Sequence, residues 1–248
     1  MKKMFFMMAA LSLLTIGFVS CEKDNSTTNN TNTNTNTTPG GGDTPDPNYV
    51  PDGYVDLGLP SRVLWATCNI GATAPEEYGD LYAWGETTTK ENYDRTTYAH
   101  CSSTSADSWG ALTKYNTNGE LGNWDEKKTL DAQDDAATAA LGSNSRMPTE
   151  DDWQELLANT TSEWTTVNDV YGRLFTSNSN GNTMFLPFAG FREGVNTTDA
   201  GNFGGYWSSS LKVDNPYNAI YFRITRYVSD VTFQLRYMGL SVRAVRSR

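Results

Sequence analysis

The chain has 248 residues, with 29 Asp and Glu against 19 Lys and Arg and a formal net charge of −10. So acidic a surface excludes nucleic acid as a partner, because phosphates require a basic footprint. One histidine, His100, leaves little material for a His-based triad or a His-rich metal site.

Lys2 and Lys3 precede an apolar run from Met4 to Val19, and small Ser20 stands before Cys21. This is the layout of a secretory signal peptide over residues 1–20, and a cysteine just past the cleavage point makes it a lipoprotein signal. The run is too short to span a bilayer with margin. The expected mature protein is acylated on Cys21 and sits on a membrane surface without crossing it. Losing Lys2 and Lys3 leaves 17 basic and 29 acidic residues, a net of −12. Residues 21–48 follow as the acylated cysteine and a linker, whose composition from Asn25 to Pro47 collapses to Asn, Thr, Gly, Pro and Asp. Such a stretch buries no apolar surface and is expected to be a disordered tether, with a span of roughly 30 Å.

The folded head is expected over residues 49–248, a single domain by length. Tyr54–Leu57 and Val63–Ala66 read as short strands around turn residues, and 85–128 reads as mostly loop. Leu130–Leu141 is alanine-rich, with Asp131, Asp134 and Asp135 early and Gly142 as its stop, and predicts a first helix. A second helix starts at Pro148–Asp152, where Thr149 and Asp152 form a capping-box-like pair. Trp153, Leu156 and Leu157 share its inward face. After Trp164 strands are predicted at Arg173–Thr176, Thr183–Phe188, Tyr206–Ser209, Ala219–Thr225, Val231–Tyr237 and Ser241–Arg246. Alternation assigns Ile220, Phe222, Ile224, Val231, Phe233 and Leu235 to a buried side. It assigns Tyr221, Arg223, Thr225, Thr232, Gln234 and Arg236 to a solvated one. The order of elements implies an α+β domain with two helices and mainly antiparallel strands.

Charge divides along the head. Residues 49–204 carry nine basic and 23 acidic residues, whereas from Gly205 onward there are seven basic residues against Asp214 and Asp230. Two halves of opposite sign attract each other or leave a basic face for an anionic ligand. Cys68 and Cys101 are a candidate disulfide in an oxidising compartment, with a buried free thiol as the alternative.

Several stretches resemble the Fibrobacter succinogenes major paralogous domain. They include Tyr54–Ser61, Leu64–Ala72, Tyr78–Asp80, Ala83–Thr87, Leu130–Ala132, Asp134–Ala139, Arg146–Thr149, Phe185–Pro187, Tyr206–Ser210 and Gly239–Arg243. The resemblance covers about residues 50–248. It implies a C-type-lectin-like fold, related distantly to formylglycine-generating enzymes, in a surface lipoprotein of gut or rumen bacteria. Glu22-Lys23-Asp24 is similar to the signal that sends Bacteroidota lipoproteins to the cell exterior, which implies an outer-membrane, outward-facing location. Formylglycine-generating enzymes need a cysteine pair in the C-terminal half, and no cysteine follows Cys101. Two departures stand out: Ala244 replaces the family's usual proline, and Thr225–Ser229 replaces a more Asn/Ser-rich stretch. Lectin-like relatives, including those diversified by retroelements, present ligand-contacting residues there.

Asp134-Asp135 and Glu150–Asp152 sit at helix starts, which accounts for them without catalysis or calcium binding. Asp214-Asn215-Pro216 is only a fragment of a calcium-lectin site, and no metal or cofactor is expected. Trp65, Trp84, Trp153 and Trp207 are assigned to the core. Tyr221, Arg223, Arg226, Tyr227, Gln234 and Arg236 are the candidate ligand-binding residues, with Lys212, Asp214 and Tyr217 extending the patch, because Tyr and Arg dominate binding hot spots. The expected function is a surface-anchored binding or adhesion module for a glycan or protein ligand. A structural subunit of a pilus tip or outer-membrane complex is the alternative, and an enzyme is disfavoured.

Overall fold

A computed structural model describes residues 49–248. The signal peptide, Cys21 and the linker lie outside the described residues. The head is a mixed α+β fold of mostly antiparallel strands with two helices. Strands β1 (Tyr54–Asp56), β2 (Leu64–Ala66) and β3 (Leu81–Tyr82) precede a long irregular stretch that reaches helix α1 (Ala136–Leu141). Strand β4 (Ser145–Arg146), helix α2 (Glu150–Asn159) and the hairpin β5 (Thr160–Val167)–β6 (Val170–Ser177) follow. Next come β7 (Thr183–Pro187), β8 (Phe191–Glu193), β9 (Asn196–Thr198) and β10 (Phe203–Leu211). The chain closes with β11 (Asn218–Thr225), β12 (Ser229–Leu235), β13 (Leu240–Ser241) and β14 (Val245–Arg246).

Ends of the head meet in one sheet, ordered β1-β2-β14-β4, and the central sheet runs β12-β11-β10-β13-β3. Both faces of the central sheet are covered. On one side Tyr206, Phe222 and Ile224 pack with Trp65, Trp153, Phe175 and Leu186. Opposite them Trp207, Tyr221 and Ala219 pack with Trp84, Tyr82 and Tyr115. All four tryptophans assigned to the core are buried.

Local chemistry accounts for the helices. In α2 the Asp152 N–H donates to Thr149 Oγ1 at 3.1 Å and the Thr149 N–H donates to Asp152 Oδ2 at 2.7 Å, the expected capping box. Trp153 then stacks on Phe222 at 4.6 Å between centroids. The predicted first helix is shorter than its alanine content implied. Asp135 leaves helical geometry (φ −94°, ψ 112°) and caps α1 by accepting the Thr138 N–H at 2.9 Å. Its backbone N–H caps the preceding 3-10 turn at Ala132–Asp134, and its carboxylate also accepts the Met147 N–H at 2.8 Å, which ties the start of α1 to the residue after β4. Gly142, at φ 89°, stops the helix as expected.

Three expectations are corrected. The side of the final strands assigned to solvent is closed at two positions, Tyr221 at 5% exposed and Arg236 completely buried, while Arg223, Thr225, Thr232 and Gln234 stay part-exposed. Phe233, assigned inward, is 50% exposed, because β12 is the edge strand and its outer part has little cover. The Cys68–Cys101 bridge is not formed, and Cys101 is a buried free thiol packed with Tyr98, Leu112 and Tyr237. No helix among the described residues is long and apolar enough to cross a membrane.

Two buried guanidiniums hold the layers together. Arg236 donates from Nε to the Tyr98 hydroxyl at 2.7 Å and from its two terminal nitrogens to the carbonyls of Pro216 (2.9 Å), Lys114 (3.0 Å) and Tyr115 (3.1 Å). It lies 4.8 Å from the Trp84 ring centroid. Arg243 donates to Asn69 Oδ1 at 3.0 Å and to the carbonyls of Ala66 (3.0 Å) and Phe185 (3.1 Å). Burial lowers its pKa to about 10, so it stays charged at neutral pH. Removing either guanidinium strands several buried acceptors at once. Arg243→Ala is expected to cost about 3–5 kcal/mol, read as a fall in urea midpoint or loss of folding. Lys212→Ala, which removes a surface pair, is expected to cost less than about 1 kcal/mol; equal losses would contradict this account.

Burial pushes the Asp152 carboxyl up, but donors from Arg146 and Thr149 outweigh it and hold it below the usual carboxylate range. A depressed folded pKa means its stabilising share is present at neutral pH and fades with acid. Asp152→Asn is expected to flatten that part of the stability curve between about pH 2 and 5, and an unchanged acid slope would contradict it.

Candidate functional site

The nine candidate ligand residues separate into three environments. Tyr221 and Arg236 belong to the core. Tyr221 lies 6.1 Å from Trp207 and 6.4 Å from Phe203, ring centroid to ring centroid, and Arg236 fastens the irregular stretch to the sheet. Neither can meet a ligand.

A second set is engaged with neighbours at the surface. Arg223 and Asp230 face each other across β11 and β12 and form a bidentate pair, Nε–Oδ1 2.8 Å and Nη2–Oδ2 2.6 Å. Asp230 holds the Arg223 guanidinium firmly protonated. Lys212 pairs with Asp214 at 2.8 Å and places its ammonium 5.4 Å from the Phe233 ring centroid. Tyr217 stacks on Trp109 at 4.3 Å, and the Arg95 guanidinium lies over the rings of Trp109 and Tyr237. Gln234 turns back to accept its neighbour Leu235 N–H at 2.9 Å. These contacts neutralise or cover the patch that the sequence reading left open.

Arg226 and Tyr227 form the third environment, at the tip of the β11–β12 hairpin, and here the structure adds residues that the sequence reading passed over. The turn is tightly closed. The Thr225 N–H donates to the Val228 carbonyl at 2.8 Å, and Thr225 Oγ1 accepts from the N–H groups of Val228 (3.1 Å) and Tyr227 (3.2 Å). Buried Arg173 on β6 donates to the Thr225 carbonyl at 3.0 Å, to the Arg226 carbonyl at 3.4 Å and to Ser162 Oγ on β5 at 3.0 Å. It thereby clamps the turn onto the β5–β6 hairpin.

On that hairpin Trp164 and Tyr171 stack with centroids 5.5 Å apart and planes 16° from parallel. Asn168 and Asp169, both at positive φ, make the two-residue connection that sets this register. Trp164 pairs with Arg173 and Thr166 with Tyr171, so the two aromatics are diagonal neighbours on one face. The Arg226 guanidinium lies 4.4 Å from the Trp164 ring centroid and 5.8 Å from that of Tyr227. Tyr227 is 84% exposed, and Trp164, Tyr171 and Arg226 are exposed too. Trp164 could have been found from sequence: a run of β-branched residues before Asn168-Asp169 and another strand after it is a hairpin signal.

Other candidate chemistry is engaged structurally. His100 is half-buried, set edge-on to Tyr98 and Tyr115, with its Nε2 2.9 Å from the Gly85 carbonyl. Burial lowers its pKa and favours the neutral ring. Among the described residues no group of three or more His, Cys, Asp or Glu is placed to hold a metal ion. A largely apolar groove of about 450 Å³ runs beside Tyr54, Ala66, Ile70 and Leu141, and a cleft of about 340 Å³ lies beside Asp135 and Arg146. In that cleft Asp135 is committed to backbone N–H groups and Arg146 to Asp152.

Comparison with family models, curated proteins and solved structures yields no match to this chain.

Burial separates the two tyrosines sharply. Tyr221→Ala is expected to destabilise the fold by about 3–5 kcal/mol, and Tyr227→Ala by no more than about 0.5 kcal/mol. Urea midpoints of the two variants check this, and similar losses would contradict the placement of β11.

Proposed function

We propose that the chain is a lipid-anchored binding or adhesion module of a bacterial outer membrane, carrying a C-type-lectin-like head of the Fibrobacter succinogenes major paralogous family after the linker of residues 21–48. The observation that carries the binding reading is the exposed array of Tyr171, Trp164, Arg226 and Tyr227, held rigid by Arg173. Exposed aromatics normally scatter singly over a protein surface, whereas here three rings and a guanidinium are grouped and pre-positioned. Rigid aromatic side chains give contact area at small entropic cost, which suits recognition rather than bond chemistry. Acylation of Cys21 would fix the head to the membrane and leave this tip free to meet ligands.

A structural subunit of a surface assembly is the second reading, favoured by the outer edge of β12 with half-exposed Phe233. The two readings separate in one experiment. On an array of glycans and surface proteins, the binding module gives hits that Trp164→Ala or Tyr227→Ala weakens by about tenfold or more without changing stability. Hits indifferent to both substitutions, together with a stoichiometric protein partner lost on Phe233→Ser, would establish the subunit reading instead. Anchoring has its own test: Cys21→Ser is expected to abolish labelling by a fatty-acid precursor and shift the protein to the aqueous phase on detergent partitioning. Retained label would contradict it.

A further inference from the structure

We infer that β12 is a pairing edge for a second copy of this chain, with the two strands joined antiparallel about a two-fold axis at Val231. The central sheet then runs on from one head into the other. This goes beyond the binding-module reading, because it sets how many tips one assembly presents.

Hydrogen bonds at both ends of the β11–β12 hairpin fix which way each residue of β12 faces. The Thr225 N–H donates to the Val228 carbonyl at 2.8 Å, and the Arg236 N–H donates to the Tyr217 carbonyl at 3.1 Å. The register between them is unbroken, so Asp230, Thr232 and Gln234 exchange their main-chain bonds with β11. Ser229, Val231, Phe233 and Leu235 turn theirs outward, where β12 is the end strand of the sheet. Leu235 is already satisfied: its N–H donates to Gln234 Oε1 at 2.9 Å and its carbonyl accepts the Met238 N–H at 3.1 Å. The N–H and C=O groups of Ser229, Val231 and Phe233 make no hydrogen bond among the described residues. This open stretch also lacks the usual guards of an edge, for it holds no Lys, no Pro and no bulge. Its one charge, Asp230, is held by Arg223 of the same chain at 2.6 Å. On β5, the other long outer strand, Arg173 already takes the Ser162 carbonyl at 3.3 Å.

The open stretch Ser229–Phe233 is centred on Val231, and that symmetry selects the occupant. Pairing about Val231 sets Val231 against Val231 and Ser229 against Phe233, so every open donor meets an open acceptor. Pairing stops where the open groups stop. The next outward residue, Leu235, would face Tyr227 of the second copy, and the Tyr227 N–H is held in its own turn by Thr225 Oγ1 at 3.2 Å. The faces agree as well. Val231 and Phe233 share the face of Phe222 and Ile220, and Phe233 falls diagonal to Val231 of the second copy, which covers its half-exposed ring. On the other face Asp230 meets Thr232, so no like charges stand opposed. Copies anchored at Cys21 would share one membrane plane, which raises their effective concentration.

The test combines sedimentation of the full-length chain in detergent with disulfide cross-linking. Under mild oxidation Val231→Cys is expected to give a covalent dimer, because its paired Cα atoms lie about 5.5 Å apart. Phe233→Cys alone is expected to give none, since its two copies stand about 14 Å apart, yet it cross-links when mixed with Ser229→Cys. Phe233→Pro removes an outward N–H and leaves every β11–β12 bond in place. It is expected to weaken the dimer about tenfold or more, and Phe233→Lys to do the same. A monomer throughout, with no Val231→Cys cross-link, would overturn the inference. So would a dimer indifferent to both Phe233 variants, or Phe233→Cys cross-linking by itself as fast as Val231→Cys. A strand of another protein held at β12 in place of the second copy would overturn the choice of occupant.

Discussion

Buried arginines that donate to main-chain carbonyls are the constraint on which this head depends. Arg236 and Arg243 are fully buried, and neither has a carboxylate partner among the described residues. Carbonyl dipoles and aromatic rings replace the water each guanidinium loses, and the planar fork lets one side chain reach three or four acceptors. A lysine, with its compact and strongly hydrated charge, could not match that geometry. The acceptors are far apart in sequence: Arg236 on one side gathers residues 98, 114, 115 and 216, and Arg243 gathers 66, 69 and 185. Two side chains thus tie an irregular stretch with little regular secondary structure to a sheet that needs cover.

That closure decides where the molecule can meet a ligand. With the irregular stretch fastened down, the middle of the central sheet is sealed on both faces, and exposure moves to hairpin tips and the β12 edge. Arg173 repeats the same device at the margin. Its donors hold the β11–β12 turn against β5 and β6, and the Arg226 guanidinium at that turn lies over the exposed Trp164 ring. The fold uses arginine inside as a staple, and the tip presents one outside as a donor.

Much of the architecture was legible in the sequence because it is written locally. The capping box at Thr149 and Asp152, the Trp153 and Leu156 face of α2, and strands β6, β7, β10 and β11 all follow from spacing over a few residues. Strand β5 was passed over because Thr160–Val167 carries few apolar residues to alternate, although its β-branched residues before Asn168-Asp169 are a hairpin signal. Face assignment failed where it mattered most. Alternation reports a buried and a solvated side only when one face of a sheet is wet, and Tyr221 lies on a sheet covered twice. Arg236 misled for a related reason: its charge reads as surface unless the carbonyls that surround it are known. Cys68 and Cys101 carried no distance information in sequence, and the free Cys101 thiol sits in an aromatic cluster that only the tertiary fold brings together. Within the candidate patch, Arg226 and Tyr227 keep their exposed positions because they occupy a turn, where neither periodicity nor packing acts on them.

The most direct test of this account is hydroxyl-radical footprinting of the full-length chain, read residue by residue by mass spectrometry. The expected pattern is rapid oxidation of Tyr227, Trp164 and Tyr171, with Tyr221, Tyr98 and Trp84 protected beneath the stretch that Arg236 fastens. Tyr221 oxidised as fast as Tyr227 would show the sheet face to be open and would contradict the arginine-fastened closure.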